Sequence, residues 1–259
     1  MSLLLHDEAV ALRFGPYSNT SRFVVWLTPA HGRVVTLIKG ALRPKSHFLG
    51  QCDLFATSDL VFYGHGRDHV HAARECALLR PRPWLRTDWH AAAAASYAAD
   101  LLIRSLPADE PHPALHAAFT AFLDALARPG AAGTCLHWFE LRYLELEGLQ
   151  PKLTHCASCG SLLPRGAPAR FSPSCGGLAC VECAGRSTSP SDPIAPDVLA
   201  MLGAWQRAAS PDDLAAIRHT PAQRHAMARL LGVFLRFHLN LRLSSREIAM
   251  EIMEERMIG

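Results

Sequence analysis

The sequence predicts a multi-domain α+β protein, in which a β-barrel over residues 1–80 is followed by an all-helical domain over residues 81–259. Three observations predict this fold class. Short β-branched and aromatic runs separated by turn residues fill the first part. Apolar residues then recur with helical spacing. Two Cys-x-x-Cys pairs with twenty residues between them interrupt the helical part, as an insert at residues 151–187.

Five short runs predict the strands of the barrel: "AVALRF", "RFVVWLT", "RVVTLIKG", "DLFATSDLVFY" and "DHVHAARECALL". Turn sequences such as "GPYSN" and "PAHG" separate them. The connections are too short for the crossover helices of a parallel sheet, which favours a small closed or partly closed barrel. We therefore expect an oligonucleotide/oligosaccharide-binding (OB) fold in this part of the chain.

Helical spacing begins after the barrel. "DWHAAAAASYAADLLIRSL" predicts a helix capped by Asp88, and "HPALHAAFTAFLDALARPG" predicts a second. A third helix, in "TCLHWFELRYLELEGLQP", is expected to start at the cap Thr134 and to end at Gly148. Short loops join the three helices, which predicts a bundle. Beyond the insert, helix returns in "APDVLAMLGAWQRA" and as a long helix over residues 222–243.

The paired cysteines predict a metal site. "MSLLLHDEAVALRF" lacks the basic and apolar regions of a signal peptide, and no run approaches the roughly 18 apolar residues of a membrane span. We therefore expect a cytoplasmic protein with no membrane contact, in which the eight cysteines are not a disulfide framework. Zinc prefers four tetrahedral ligands, and two Cys-x-x-Cys turns supply four thiolates. The expected ligands of one Zn²⁺ per chain are Cys156, Cys159, Cys180 and Cys183.

The zinc site is expected to be structural, because four sulfurs leave no open position for an activated water molecule. Cys175, between the two pairs, leaves open the alternative that it replaces one member of the second pair. The sequence also has no phosphate-binding loop, nucleophile elbow, His-Glu-x-x-His or dinucleotide fingerprint. We expect no enzyme activity.

The distribution of charge predicts a polyanionic partner. The net charge is only +3, but the chain has no Asp or Glu between Ala9 and Cys52, nor between Leu214 and Arg246. In the first stretch, the loop "KGALRPKSHF" presents cations to successive phosphates. The DNA-binding candidates are Arg22, Arg33, Lys39, Arg43 and Lys45.

Aromatic residues are interleaved with these cations, and exposed ones can stack on bases, while about half of them must fill the barrel. They are Phe14, Tyr17, Phe23, Trp26 and Phe48. The apolar residues of the last long helix are expected in the core, including Val233 and Phe237. Its arginines are candidates for binding an acidic partner peptide or the DNA backbone, namely Arg224, Arg229, Arg236 and Arg242.

Two other function classes fit part of this pattern. A zinc-dependent nucleic-acid hydrolase would use the barrel for substrate binding and would need an incomplete metal shell with a bound water molecule. An adaptor that does not bind DNA would use the arginine-rich helix to bind acidic protein tails. A solvated charged surface with no partner is the plainest interpretation of either group of cations.

Three segments of the sequence together resemble the RecO family of bacterial recombination mediators. They are "ALRFGPYSNTSRFVVWLTPAHGRVVTLIKGALRPKSHF", "FELRYLELEGLQPKLTHCASCG" and "FSPSCGGLACVECA". The resemblance covers most of the chain in the family's order. It implies an OB barrel followed by a helical domain with a zinc-binding insert. Some relatives lack the cysteines, which implies that the metal serves local folding.

The resemblance also implies a function. Family members bind single- and double-stranded DNA and anneal complementary strands in recombinational repair, in the RecF pathway. They act with RecR to load RecA onto DNA coated by single-stranded DNA-binding protein (SSB), and they contact the acidic C-terminal tail of SSB. A member would work in the cytoplasm, associated with the nucleoid.

Overall fold

The structure, a computed structural model, describes residues 3–64, 69–163, 169–187 and 190–255. It divides into two compact units, Met1–Ala132 and Gly133–Gly259. The predicted division at residues 80 and 81 stays a prediction. Among the described residues, every helix is too short or too polar to cross a bilayer.

Five strands close into a barrel in the order β1-β2-β3-β5-β4. Neighbouring strands are antiparallel, except that β3 and β5 are parallel. This is the topology of an OB fold, which confirms the predicted class. The strands are β1 (Leu3–Pro16), β2 (Arg22–Thr28), β3 (Gly32–Ile38), β4 (Thr57–Gly64) and β5 (Val70–Arg80).

Alternation along β2 and β3 divides their side chains between the barrel interior and its outer surface. Val24 and Trp26 point inward and are fully buried, and the Trp26 indole Nε1 donates a hydrogen bond of 2.9 Å to Thr36 Oγ1. Phe48 is also in this core, where it closes the barrel from the loop after β3. Of the candidate aromatics, Trp26 and Phe48 are therefore core residues.

Helices α1 (Trp89–Ser105) and α2 (Pro113–Ala125) belong to the first unit, and α3 (Ala132–Leu146) leads into the second. The units thus divide the three predicted helices. Asp88 caps α1 as predicted, because its carboxylate accepts hydrogen bonds from the N–H groups of His90 and Ala91. The alanine-rich α1 lies against β1, where Arg13 Nη2 and Asp100 Oδ1 are 2.8 Å apart.

The predicted start of α3 was wrong, and its end was right. The helix begins at Ala132, so Thr134 lies inside the first turn and does not cap it. Gly148 ends the helical segment with a φ of +71°, and the next residue, Leu149, donates its N–H to the Leu144 carbonyl at 2.7 Å. This pairing across a left-handed residue is a Schellman motif.

The second unit continues with α5 (Pro196–Arg207), α6 (Pro221–Leu239) and α7 (Ser244–Glu255). Thr220 and Gln223 form a capping box at the start of α6. Asn240 ends this helix with a φ of +49°, so it stops before residue 243, where the prediction placed its end. The sequence analysis made no prediction for α7, which begins at Ser244, just after the predicted end of the long helix.

The insert supplies two strands of a small sheet that the sequence analysis did not predict, and the third strand lies just beyond the insert. Strands β6 (Ala169–Ser172), β7 (Gly177–Cys180) and β8 (Asp192–Pro193) pair in the order β7-β6-β8, and α4 (Val181–Arg186) follows β7 directly. Strands of two to four residues are too short to show alternation. Phe171 of β6 packs against Phe234 of α6, with 5.6 Å between the ring centroids.

Candidate metal centre and nucleic-acid interface

The sulfur atoms of Cys156, Cys159, Cys180 and Cys183 all lie within 4.8 Å of one another. A tetrahedral zinc ion with Zn–S bonds of about 2.3 Å holds its sulfurs about 3.8 Å apart, so this cluster fits the ion with small adjustments. In the described part of the chain, no other group of three or more His, Cys, Asp or Glu side chains is this close. The structure therefore brings together the four predicted ligands, and they can hold a metal ion.

Two turns position the sulfurs. In the first, the N–H of Cys156 donates to the Ser161 carbonyl at 2.8 Å, and Gly160 donates back to the Cys156 carbonyl at 2.9 Å. In the second, Cys180 precedes α4, and its sulfur accepts the N–H of Cys183 at 3.4 Å. The N–H of Cys180 also donates to the Cys156 sulfur at 3.4 Å, which joins the two turns.

The environment of the cluster favours thiolates over thiols at some of its members. Burial raises the pKa of Cys156, but backbone N–H groups of Cys159, Cys180 and Ser158 lower it to about 6. Hydrogen bonds with the sulfurs of Cys180 and Cys159 raise the pKa of Cys183 to about 12. Neighbouring thiolates repel one another, so one member keeps its proton while another ionises. A divalent cation replaces such a proton and stabilises the thiolates together.

A close backbone approach holds the second turn. Gly177 has a φ of +142°, and a Cβ atom added to it would lie 2.3 Å from the carbonyl oxygen of Lys152. Lys152 donates its N–H to the Gly176 carbonyl at 3.0 Å and accepts the N–H of Leu178 at 2.8 Å. Glycine at 177 therefore lets the start of the insert pair with β7, beside the cysteines.

Cys175 is not a member of the four-sulfur group. It lies on a short 3-10 turn, Pro173–Cys175, and packs against the cluster from outside. Hydrogen bonds with the hydroxyls of Ser158 and Ser172 lower the pKa of its thiol, although burial opposes them. The geometry favours the two Cys-x-x-Cys pairs as the ligand set, which stays a prediction until a metal is measured.

Three of the five candidate DNA-binding residues lie on one exposed loop. Lys39, Arg43 and Lys45 follow β3, on a series of turns whose backbone bonds include Arg43 N–H to the Gly40 carbonyl at 3.1 Å. Ala41 and Phe48 anchor this loop in the barrel core. None of the three cations has an ion-pair partner among the residues that the structure describes. We call residues 39–48 the basic loop.

Arg22 and Arg33 lie elsewhere and are bonded to the main chain. Arg22 alternates inward with Val24, so its guanidinium lies over the Phe14 ring at 4.2 Å and donates to the Cys52 carbonyl at 3.2 Å. Arg33 Nε donates to the Leu106 carbonyl at 2.9 Å. The alternation of side chains along β2 could have predicted that Arg22 points inward, because it lies two residues before the buried Val24. Nothing in the local sequence indicates the partner of Arg33, which is 73 residues away. Their DNA contacts stay predictions.

The four candidate arginines of the predicted long helix divide between two surfaces, and one of them, Arg242, lies beyond the end of α6. Arg224 lines a pocket with Met250 and Met253 of α7. The other three surround a second pocket on α6 and the segment after it, where Val233 and Leu241 supply apolar surface; these arginines are Arg229, Arg236 and Arg242. Arg229 and Arg242 lie 4.0 and 3.6 Å from carboxylate oxygens of Asp192 and Glu247.

The expectation that Val233 and Phe237 are core residues was wrong, since their exposed fractions are 47% and 54%. Both lie one or two turns after Arg229, on the same face of the helix. The helical spacing of the sequence could therefore have distinguished this exposed face from the face that contains the buried Leu230 and Phe234.

Comparison with known proteins identifies the family. Residues 1–82 match the family model described as recombination protein O N terminal, and residues 86–247 match the one described as recombination protein O C terminal. The chain belongs to the RecO family. The two models meet between residues 82 and 86, close to the end of the barrel.

Similar proteins carry the name DNA repair protein RecO. The RecO of Anaeromyxobacter sp. (strain K) is 32% identical over 247 residues, which cover 94% of each chain. The RecO of Roseiflexus sp. (strain RS-1) is 32% identical over 231 residues, which cover 88% of this chain and 79% of that protein. The RecO of Geobacter metallireducens is 28% identical, and the match covers 92% and 93% of the two chains.

Proposed function

We propose that this RecO-family chain acts in recombinational DNA repair, as a DNA-binding mediator that anneals complementary strands without enzyme activity. The observation that carries the proposal is the basic loop. It holds three exposed cations without described ion-pair partners, on an OB barrel, a fold that commonly binds oligonucleotides. The names of the similar proteins support the role in repair.

The mechanism is electrostatic. Two complementary strands repel one another through their phosphates, and each cation that binds a phosphate releases condensed counterions. Lys39, Arg43 and Lys45 neutralise part of this charge, so two strands can approach closely. Base pairing then supplies the free energy of annealing, and no nucleotide hydrolysis is needed.

We also propose that the four clustered cysteines hold one structural Zn²⁺. When bound, the ion would crosslink the two turns of the insert and leave its four-coordinate shell filled by sulfur. A filled shell activates no water molecule, so the zinc-dependent hydrolase is not favoured. The cluster is part of the second compact unit, whereas the basic loop belongs to the first.

One partner of the family, the tail of SSB, is proposed for this chain on chemical grounds. The pocket bordered by Arg229, Arg236 and Arg242, with the apolar Val233, suits a peptide that combines carboxylates with an apolar side chain. The acidic C-terminal tail of SSB has such carboxylates. Action with RecR, and through RecR on RecA, is proposed from the family alone. The proposed location, in the cytoplasm and associated with the nucleoid, also rests on the family.

An annealing assay tests the proposed function. Two complementary oligonucleotides, with and without SSB and without ATP, are mixed with the protein, and duplex formation is followed by fluorescence quenching. We expect faster annealing with the wild-type chain. The triple variant Lys39→Ala, Arg43→Ala, Lys45→Ala should lose most of this acceleration.

A second triple variant, which also removes three positive charges, is the control for the effect of net charge in this assay. Arg186, Arg207 and Arg218 are also exposed but lie in the second unit, and their replacement by alanine should leave annealing without SSB near the wild-type rate. Full acceleration by the folded triple variant of the basic loop would remove that loop from the function.

A further inference from the structure

Tyr17 is an exposed aromatic residue on the turn between β1 and β2. Its exposed fraction is 58%, and its ring contacts Phe23 edge to face, with 5.1 Å between centroids and 83° between planes. The N–H groups of Tyr17 and Ser18 both donate to the Ser21 carbonyl, at 3.2 and 3.1 Å. The ring is therefore held by the turn and by one edge contact, and more than half of its surface faces solvent.

This turn is bonded directly to the basic loop. Leu42 donates its N–H to the Thr20 carbonyl at 3.0 Å, and Gly40 donates its N–H to the Ser21 hydroxyl at 3.0 Å. Lys39 and Arg43 are the neighbours of these two donors in the chain. An exposed ring and exposed cations thus lie at the same end of the barrel.

The ring also continues an apolar outer surface. Phe23 and Val25 of β2 point away from the buried Val24 and Trp26, and they pair with Leu37 and Val35 of β3. All four outward residues are only partly buried. The outer face of strands 2 and 3 and the loop between strands 1 and 2 are where OB barrels bind oligonucleotides.

We propose that Tyr17 stacks on an unpaired base and gives this surface its preference for single-stranded DNA; the proposal rests on the DNA-binding function above. Cations bind the phosphates of single strands and duplexes alike. An aromatic ring adds affinity only for a base whose face is free, and in a duplex those faces are stacked on one another. Pairing of the bound strand would withdraw its base from Tyr17, so the annealed product would leave more readily than the single strand.

The test measures binding of three fluorescent probes by anisotropy: oligothymidylate, an abasic strand of the same length, and a duplex. Tyr17→Ala should weaken binding of oligothymidylate about tenfold, the order expected for one lost stack. Its affinity for the abasic strand and for the duplex should not change. Tyr17→Phe, which keeps the ring, should restore binding of oligothymidylate.

Two controls separate stacking from other effects. Tyr17→Leu keeps an apolar contact with Phe23 but has no aromatic face, so it should bind the three probes like the alanine variant. If Tyr17→Ala impairs folding, the leucine variant is used in its place. Trp89→Ala removes an aromatic residue that is 52% exposed at the start of α1, and it should bind all three probes like the wild type.

Equal weakening on all three probes, or no weakening on oligothymidylate, would overturn the role of Tyr17. The triple variant of the basic loop separates this outcome from failure of the proposed function. Loss of binding to all three probes in that variant supports the phosphate contacts whatever Tyr17 does. Unchanged binding to all three would reject the basic loop as the DNA site, and the stacking proposal with it.

Discussion

Glu140 is a fully buried carboxylate in α3 that is paired from two sides. Arg246 Nε donates to it at 2.7 Å, and the His137 ring nitrogen Nδ1 lies 3.0 Å away. Burial would raise the pKa of Glu140, but the charges and hydrogen bonds of Arg246 and His137 lower it to about 2, from an ordinary value of 4.5. This pair joins α3 to the start of α7.

We expect Glu140→Gln to lower the free energy of unfolding at pH 7 by about 3 kcal/mol, because it leaves the largely buried Arg246 side chain without its carboxylate. A pKa that is lower in the folded state stabilises the fold above about pH 4.5 and loses this effect as the pH falls towards about 2. Urea unfolding followed by tryptophan fluorescence should therefore show a smaller difference between wild type and variant at pH 3 than at pH 7.

Glu145→Gln is the matched control for this measurement. Glu145 is on the same helix, pairs with Arg142 at 2.6 Å and is partly exposed, so its replacement should cost less than about 1 kcal/mol. A difference between Glu140→Gln and the wild type that is independent of pH would contradict the assignment of this pair.

Gly177 gives a second prediction for a single residue. In Gly177→Ala the new Cβ would collide with the Lys152 carbonyl at 2.3 Å, so we expect a loss of about 1–3 kcal/mol and weaker retention of metal. Thermal unfolding and metal content of the purified protein measure both effects. Gly185→Ala, where no atom lies within 4 Å of the added Cβ, should be close to neutral.

The insert is the element whose order we expect to depend most on the proposed metal ion. Its strands β6 and β7 contain only four residues each, and β6 pairs with the two-residue β8 just beyond the insert. Strands this short do not fold independently in water. The two cysteine turns join the start of the insert to β7 and α4, so a bound ion would stabilise segments that are distant in sequence.

We expect Cys156→Ser to release the metal and to increase hydrogen exchange of the described amides in residues 151–187. Cys175→Ser is the control, and it should retain one metal ion per chain because this sulfur lies outside the four-sulfur group. Inductively coupled plasma mass spectrometry identifies the metal. One zinc per chain in Cys156→Ser, together with its loss from Cys175→Ser, would make Cys175 a ligand.

At the scale of the whole molecule, positive charge is concentrated in two stretches of the chain, although the net charge is small. The net charge of +3 predicts little about partners. The acid-free stretch up to Cys52 nevertheless places three unpaired cations on the basic loop, among the residues that the structure describes. Binding by such a loop depends on phosphate contacts and is therefore sensitive to salt.

We expect the affinity for duplex DNA to fall steeply with salt concentration, and the triple variant of the basic loop to show a shallower dependence. Each lost phosphate contact should reduce the slope of log K against log salt by about 0.9. Anisotropy titrations at several salt concentrations measure the slope. The same slope for wild type and variant would mean that none of the three cations binds a phosphate.

The limits of prediction from sequence follow from the range of the interactions. Asp88 was found as a cap because capping involves neighbouring residues. The prediction missed the end of α6, because the helix is stopped by the left-handed conformation of Asn240. The pattern of apolar residues does not predict that conformation. The DNA candidates Arg22 and Arg33 were grouped with the basic loop by their charge and their places on neighbouring strands. Arg22 bonds to a carbonyl 30 residues away, and Arg33 to one 73 residues away.

The sequence by itself determined the OB barrel, most helices, the two cysteine pairs and the family, because each depends on local patterns of apolar residues, turns and spacing. Only the tertiary structure decided which side chains remain free to bind. It brought the four sulfurs together, bonded Arg22 and Arg33 to the main chain, and left Tyr17 exposed beside Lys39 and Arg43. The physical reason is that exposure and pairing depend on contacts between residues far apart in the chain.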